Sequence, residues 1–238
     1  MIRINKFLSS SGLASRRQAD KLIASGKILV NGKVATLGQK INPDSDKITF
    51  NNQVIKSSTS DKSTYLILNK PKGFITTTAV FPNQHSVMEL INVPNRVFPV
   101  GRLDQDTTGL LLFTNDGGLT NRLTHPRHHL PKTYLLTLKS LPSKSQLVQL
   151  TTGVHLDDGL TLPAKLKIIS HHPPQITLTI FQGRNRQIKR MCQTLDLDLV
   201  ALHRTNLGPL QLGDLPIGQY RQLTPTEITS LKKSCIMT

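Results

Sequence analysis

Apolar residues recur along this chain with two different periods, and the change between them falls near residue 60. Before it, Ile4, Phe7 and Leu8 stand at helical spacing up to Gly12, and Ala19, Leu22 and Ile23 repeat that spacing up to Gly26. Two helices are predicted there, the second opened by a capping box of Ser15 with Gln18. "KILVNGKVA" then sets Asn31-Gly32 between two apolar arms, and "KITFNNQVI" repeats the arrangement around Asn51-Asn52, which predicts two hairpins. Beyond residue 64 the apolar runs are short and continuous: "YLILN", "GLLLFTN", "TYLLTL", "AKLKII" and "ITLTIFQ" read as strands. Helices are fewer, with "SVMELIN" and "LTNRLTH" as short candidates. "NRQIKRMCQTL" is the clearest, because Ile188, Met191, Cys192 and Leu195 recur at i, i+3, i+4 and i+7.

The polar stretch "KSSTSDKST" at 56–64 has nothing to bury and reads as a link between two compact units. The expected division is 1–58, a link over 59–64, and 65–238. The class is α+β: a small α/β unit, then a larger one with a mixed, mainly antiparallel sheet flanked by helices.

Charge narrows the choice of partner. The 238 residues carry a formal net charge of +16, a field that attracts polyanions, of which nucleic acid is the commonest. Ten Lys and Arg against three Asp leave +7 in residues 1–56, close to half the excess in a quarter of the chain. An acidic membrane surface is the rival reading. It is weakened because no stretch approaches the roughly 18 to 20 apolar residues of a membrane span, and no lipidation signal is visible. The amino terminus lacks the apolar core of a secretory signal, so a cytoplasmic home is expected. Cys192 and Cys235 are too few for a disulfide framework, form no CxxC pair, and read as free thiols.

In the smaller unit Arg16 and Arg17 fall in the first turn of the second helix. Cations at the positive end of a helix dipole are unfavourable by about 0.3 to 1 kcal/mol each, so an external anion would relieve a local conflict. The alternative is a solvated basic face.

The larger unit offers a different kind of chemistry. In "VGRLDQDTTGLLLFTND" the run Gly109 to Phe113 is apolar on consecutive residues, as in a strand covered on both faces, while "GRLDQDTT" before it reads as a loop. Asp104 and Asp106 would then stand on a rigid platform. A structural ion pair with Arg102 is the alternative to a reactive role. Arg184, Arg186, Lys189 and Arg190 fall within the first two turns assigned to the helix "NRQIKRMCQTL", some of them beside its buried stripe, where a cation needs a carboxylate. Asp104 or Asp106 can supply it. No GKS or GKT loop, GxGxxG or GxSxG occurs, and the histidines at 125, 128, 129, 171 and 172 match no common zinc spacing and read as solvated loop residues.

Two resemblances add to this reading. "RINKFLSSSGLASRRQADKLIASGKILVNGKVA" is similar to the alpha-L RNA-binding domain first described in a small-subunit ribosomal protein. That resemblance implies a module docking on structured RNA, with Arg16, Arg17 and Lys21 on its phosphates. "NKPKG" at 69–73, "GRLDQDTTGLLLFTNDG" at 101–117, "KTY" at 132–134, "GRNRQIKRM" at 183–191 and "LGPLQLGDLPIGQYRQLT" at 207–224 resemble, in order, the motifs of the ribosomal RNA pseudouridine synthases of the RsuA, RluB, RluE and RluF type.

What this second resemblance implies is a pseudouridine synthase fold and the isomerisation of uridine in ribosomal RNA, leaning towards the large-subunit RNA. Asp104 would be the essential aspartate, Tyr134 the tyrosine that packs on uracil and takes part in proton removal, and Lys189 the basic residue that pairs with the aspartate. Arg102 would hold the uridine out of its stack. Arg184 and Arg186 would contact substrate, and Leu210 would lie in the segment that floors the pocket. No cofactor or metal is needed for such a reaction. The expected partner is ribosomal RNA or a pre-ribosomal particle, met by a monomer. Asp106 is assigned to capping the loop through Thr107, Thr108 or backbone donors. Pro131 stands where the family commonly has Glu, Lys189 where part of it has Arg, and Tyr220 where Trp is frequent. The competing functions are an RNA-binding assembly protein with a vestigial site, a member acting on small-subunit RNA, and a metal-dependent nuclease using Asp104 and Asp106.

Overall fold

A computed structural model describes residues 1–56, 63–79 and 81–234. Most of the predicted link and Cys235 lie outside the described residues. The chain divides into two units, Met1–Ser63 and Thr64–Thr238.

In the smaller unit the helices are Ile4–Ser10 and Arg16–Ala24. Ser15 Oγ accepts from Gln18 N at 3.2 Å, which is the forward half of the capping box. Ile4, Phe7, Leu8, Ala19 and Ile23 pack against Ile28, Ile41 and Ile48 of the strands. Both hairpins form. Asn31 and Gly32 have φ of 52° and 80°, and Asn51 and Asn52 have 48° and 62°, the paired positive values that a two-residue turn with matching twist requires.

Among the described residues, the larger unit is built on a nine-stranded sheet. Along its main path the strands run 165–171, 174–180, 132–138, 199–207, 108–114, 65–70 and 220–222, with 98–100 and 210–211 pairing at the sides. Every join is antiparallel except one: Leu199–Leu207 runs parallel to Thr108–Thr114, with His203 opposite Thr108 and Arg204 opposite Gly109. The period of two along the central strands separates two cores. Leu66, Leu68, Leu111 and Phe113 point to one cluster, while Tyr65, Ile67, Leu110 and Leu112 point to the other. The first is closed by Ile188, Met191 and Cys192 of the helix Gln187–Thr194, the second by Leu119, Leu123 and Leu231 of the helices Gly117–Thr124 and Pro225–Lys233. Burial pushes the Cys192 thiol up to about 12, so it packs as an apolar side chain.

Three sequence expectations change. "SVMELIN" forms only a 3-10 turn, Val87–Leu90, because Ile91 is already extended and Pro94 follows. The helix carrying the basic run begins at Gln187, so Arg184 and Arg186 precede it, and Arg186 occupies its N-cap with φ of 47°. Two unforeseen helices, Lys144–Thr152 and Pro225–Lys233, both open on full capping boxes. No helix among the described residues is long and apolar enough to cross a membrane.

The last helix carries a pH-sensitive clasp. Arg221 donates to Glu227 at 2.7 and 2.8 Å, and this bond holds the Glu227 carboxyl down at about 2 despite partial burial. A depressed carboxylate stabilises the fold above its unfolded pKa and loses that contribution as pH falls through the folded value. With its partly exposed partner discounted, Glu227→Gln is expected to cost about 1 to 2 kcal/mol at pH 7. The difference between variant and parent should close between about pH 4.5 and pH 2 in acid titrations followed by circular dichroism. A difference that persists unchanged at pH 2 would contradict the assignment.

Candidate active site

The loop before strand 108–114 is held from three sides by the turn that follows strand 65–70. Gly73 N donates to Gln105 O at 2.8 Å, and Gln105 Nε2 returns a bond to Gly73 O at 3.0 Å. Thr76 Oγ1 donates to Leu103 O at 2.8 Å and accepts from Leu103 N at 3.2 Å. Beneath them Lys70, fully buried, donates through Nζ to the carbonyls of Pro71, Gln105 and Thr107 at 3.0, 3.2 and 2.9 Å. The motifs "NKPKG" and "GRLDQD" are therefore one object: a lysine wrapped by the two loops that it joins. Burial pulls the Lys70 ammonium down to about 8, against an upward pull from Asp106 and then Asp104.

Asp104 emerges from this loop at the edge of a cavity of about 220 Å³. Its Oδ2 lies 2.9 Å from Lys189 Nζ, and Lys189 also donates to Asp106 Oδ1. Burial would raise the Asp106 carboxyl, but the bond and charge of Lys189, with Arg186 nearby, outweigh it and leave Asp106 below its ordinary value. Asp106 thus binds Lys189, as one of the two acids expected to serve the basic run, and takes no bond from the hydroxyl of Thr107 or Thr108.

Tyr134 reaches the same cavity from the neighbouring strands. In register, Tyr134 faces Arg204 and Arg204 faces Gly109, so the tyrosine stands two strands away from the start of strand 108–114. Two strand spacings amount to roughly 10 Å. Arg204 is 3% exposed; its Nε donates to Leu110 O at 2.7 Å, its guanidinium carbon lies 6.0 Å from the Tyr134 ring centroid, and its Nη2 is buried without a hydrogen-bond partner. Such a cation is attracted to the ring face and fixes the ring's place. Lys132 borders the cavity too. Its Nζ donates to Leu130 O at 2.8 Å, and burial followed by the charge of Arg204 brings its ammonium down to about 8.

The remaining sequence candidates divide. Arg102 is exposed and borders the cavity, as does Arg186. Arg184 also borders it, but its guanidinium is occupied by Asp158, Gly159 and Leu160 at 2.6 to 3.2 Å. Asp158 takes Arg190 as well, at 2.9 and 3.0 Å, so the carboxylate for these two arginines comes from a distant hairpin and not from Asp104 or Asp106. Leu210 is not brought into the cavity. It is fully buried in the core cluster with Leu207 and Leu212, and Leu207 and Leu130 border the cavity at that end. His125 and His129, read from sequence as solvated loop residues, border the cavity mouth. In the smaller unit Arg16, Arg17 and Lys21 are all exposed on the helix Arg16–Ala24.

Sequence reasoning passed over Lys70, Arg204 and Lys132. The signal for each was a cation within an apolar strand pattern, as at Arg204, or at its end, as at Lys70 and Lys132, which can mark a satisfied or functional charge. Together the cavity holds a carboxylate balanced by an ammonium, an aromatic phenol two strands away, and two cations beside that phenol, Arg204 buried and Lys132 half-buried. This can grip a flat polar ring, present a carboxylate to one end of it and exchange a proton at the other.

Comparisons with known proteins identify the family. Residues 64–194 match the RNA pseudouridylate synthase family, and residues 2–48 match the S4 domain. Ribosomal large subunit pseudouridine synthase B of Bacillus subtilis (strain 168) is 40% identical, over 98% of this chain and 96% of its own length. An uncharacterized RNA pseudouridine synthase of Aquifex aeolicus (strain VF5) is 39% identical, over 98% and 94%. The dual-specificity RNA pseudouridine synthase RluF of Escherichia coli (strain K12) is 34% identical, over 98% and 79%. A crystal structure of a pseudouridylate synthase, 34% identical, aligns with a TM-score of 0.70 over 97% of this chain and 100% of that one. Sequence and fold thus converge, and the chain belongs to the RNA pseudouridine synthase family, an enzyme with an S4 domain before its catalytic unit.

Proposed function

We propose that this enzyme converts a uridine of ribosomal RNA, in the large subunit, to pseudouridine, and that Asp104 is its reacting carboxylate. The observation that carries the reading is the Asp104–Lys189 contact of 2.9 Å at the edge of a cavity bordered by Tyr134. The reaction breaks the C1′–N1 bond, turns the uracil and forms a C1′–C5 bond, while a proton leaves C5 and one is gained at N1. Asp104, paired with Lys189, attacks C1′ or stabilises positive charge on the sugar. Tyr134 packs on the uracil and takes part in removing the C5 proton, its phenolic oxygen giving up its own proton as it receives that one. Arg102, exposed at the cavity edge, takes the space the extruded nucleotide vacates. The large-subunit assignment is supported by the name of the Bacillus subtilis relative. In this proposal the enzyme acts as a monomer in the cytoplasm, on ribosomal RNA or a pre-ribosomal particle.

Position-resolved pseudouridine mapping of both ribosomal RNAs, with and without the gene, tests the reading. A pseudouridine lost from the large-subunit RNA on deletion is the expected result, and an unchanged map of both RNAs would overturn it.

The exposed cations of the S4 domain are assigned to RNA phosphates. Arg16→Ala with Arg17→Ala is expected to weaken RNA binding and to flatten the plot of log K against log salt by about 1 to 2. Titrations at four salt concentrations check this, and an unchanged slope would remove both arginines from the interface.

A further inference from the structure

Two carboxylates share one ammonium at the cavity edge, and they are not equivalent. Lys189 Nζ lies 2.9 Å from Asp104 Oδ2 and also holds Asp106 Oδ1. The Lys189 side chain is 13% exposed, Asp104 32% and Asp106 53%. Asp104 borders the cavity; Asp106 borders the adjoining groove with Lys72, Arg186 and Gln193, and Lys189 borders both. The lysine therefore stands between a carboxylate that can meet the ring and one that faces away from it.

We propose that Asp106 is a positioning residue, a standing counterion that holds Lys189 in place while Asp104 changes its charge during the reaction. The inference rests on the reading of Asp104 as the reacting carboxylate. If Asp104 attacks C1′, the C1′–N1 electron pair departs with the uracil and Asp104 becomes a neutral ester. If Asp104 instead faces a sugar cation, its charge is turned from Lys189 to the sugar. In both cases a largely buried ammonium loses the pull of one partner, and an uncompensated buried charge is costly. Asp106 cancels that cost by keeping Lys189 paired throughout. It also shares the ammonium beforehand, so Asp104 parts from Lys189 more easily. The surrounding charges suit a permanent anion here, since Lys189 and Arg186 both favour the ionised form of Asp106. Because Asp106 lies in a loop pinned through Gln105 and Thr107 to Lys70, it stays in place when Asp104 moves.

The test uses the full chain and an RNA fragment carrying the mapped uridine, with kcat and KM measured for Asp106→Asn, Asp106→Glu, Lys189→Met and the double variant Asp106→Asn with Lys189→Met. Asp106→Asn is expected to lower kcat about 10- to 100-fold with KM nearly unchanged, as for a displaced reacting group. Asp106→Glu should recover most of that loss, and in the Lys189→Met background Asp106→Asn should cost nothing further. A rise in KM with kcat intact overturns the proposal in favour of an RNA contact. So does a loss of the same size in both backgrounds, or a lowered melting temperature with normal kcat. Asp104→Asn, run beside them, separates the two readings: activity in that variant defeats the Asp104 assignment, whereas an inactive Asp104→Asn with a normal Asp106→Asn defeats this proposal alone.

Discussion

Asp104→Asn is expected to abolish pseudouridine formation, with a loss of about 10⁴-fold in kcat, while the protein melts within about 2 °C of the parent. The two halves of that expectation come from different parts of the structure. Asn keeps the size of Asp and the backbone bond from Thr107 N to Asp104 O at 3.1 Å, and the loop is pinned independently through Lys70, Gly73 and Thr76. Lys189 keeps Asp106 as a partner, so no buried cation is stranded. What disappears is the negative charge alone, and an amide oxygen neither attacks a sugar carbon nor balances a sugar cation comparably. Complementation of a deletion strain, read by carbodiimide-stopped reverse transcription, checks the activity. A restored pseudouridine stop with Asp104→Asn would show that the carboxylate is not the reacting group.

Gly109→Ala is expected to be the most damaging single methyl group in the fold. Gly109 has φ of +104°, and a Cβ there would lie 2.3 Å from Arg204 O and 2.6 Å from Arg204 N. Both are backbone atoms of the paired strand, so nothing flexible can move aside. Relief requires opening the parallel join between strands 108–114 and 199–207. The join also sets the distance between the Asp104 loop and the strands of Arg204 and Tyr134, so stability and activity should fall together. A loss of about 3 to 5 kcal/mol is expected, with Tm lower by about 10 °C for a unit of this size. Gly101→Ala is the comparison: φ there is +73°, but no atom lies within 4 Å of the added Cβ, and the cost should stay near 1 to 2 kcal/mol. Thermal melts of the two variants decide the matter, and equal melting temperatures would remove the join as the cause.

Local patterns made some of this legible from residues alone. The Asn-Gly and Asn-Asn turns require positive φ and were readable as hairpins, and the consecutive apolar run at 109–113 announced a strand covered on both faces. What local patterns cannot carry is pairing at a distance. Strand 199–207 interrupts its apolar residues with His203, Arg204 and Asn206, so it has no clean period, yet it forms the parallel join. The carboxylate of Arg190 is Asp158, 32 residues earlier, and no spacing rule points there. Leu210 fits a pocket floor by motif and a core by burial, and only the second cluster decides between them. Asp106 was readable as one of two acids that could serve the basic run, but that Lys189 holds both at once is a matter of three-dimensional placement.

The Lys70 clamp bears on how such an enzyme can diverge. It holds the Asp104 loop through the carbonyls of Pro71, Gln105 and Thr107, groups that every amino acid possesses. The bonds from Lys70 themselves make no demand on the side chains at those positions. Selection can therefore rewrite the surface that the loop offers to an incoming RNA without displacing the aspartate, so that new target sites arise by drift around a fixed centre.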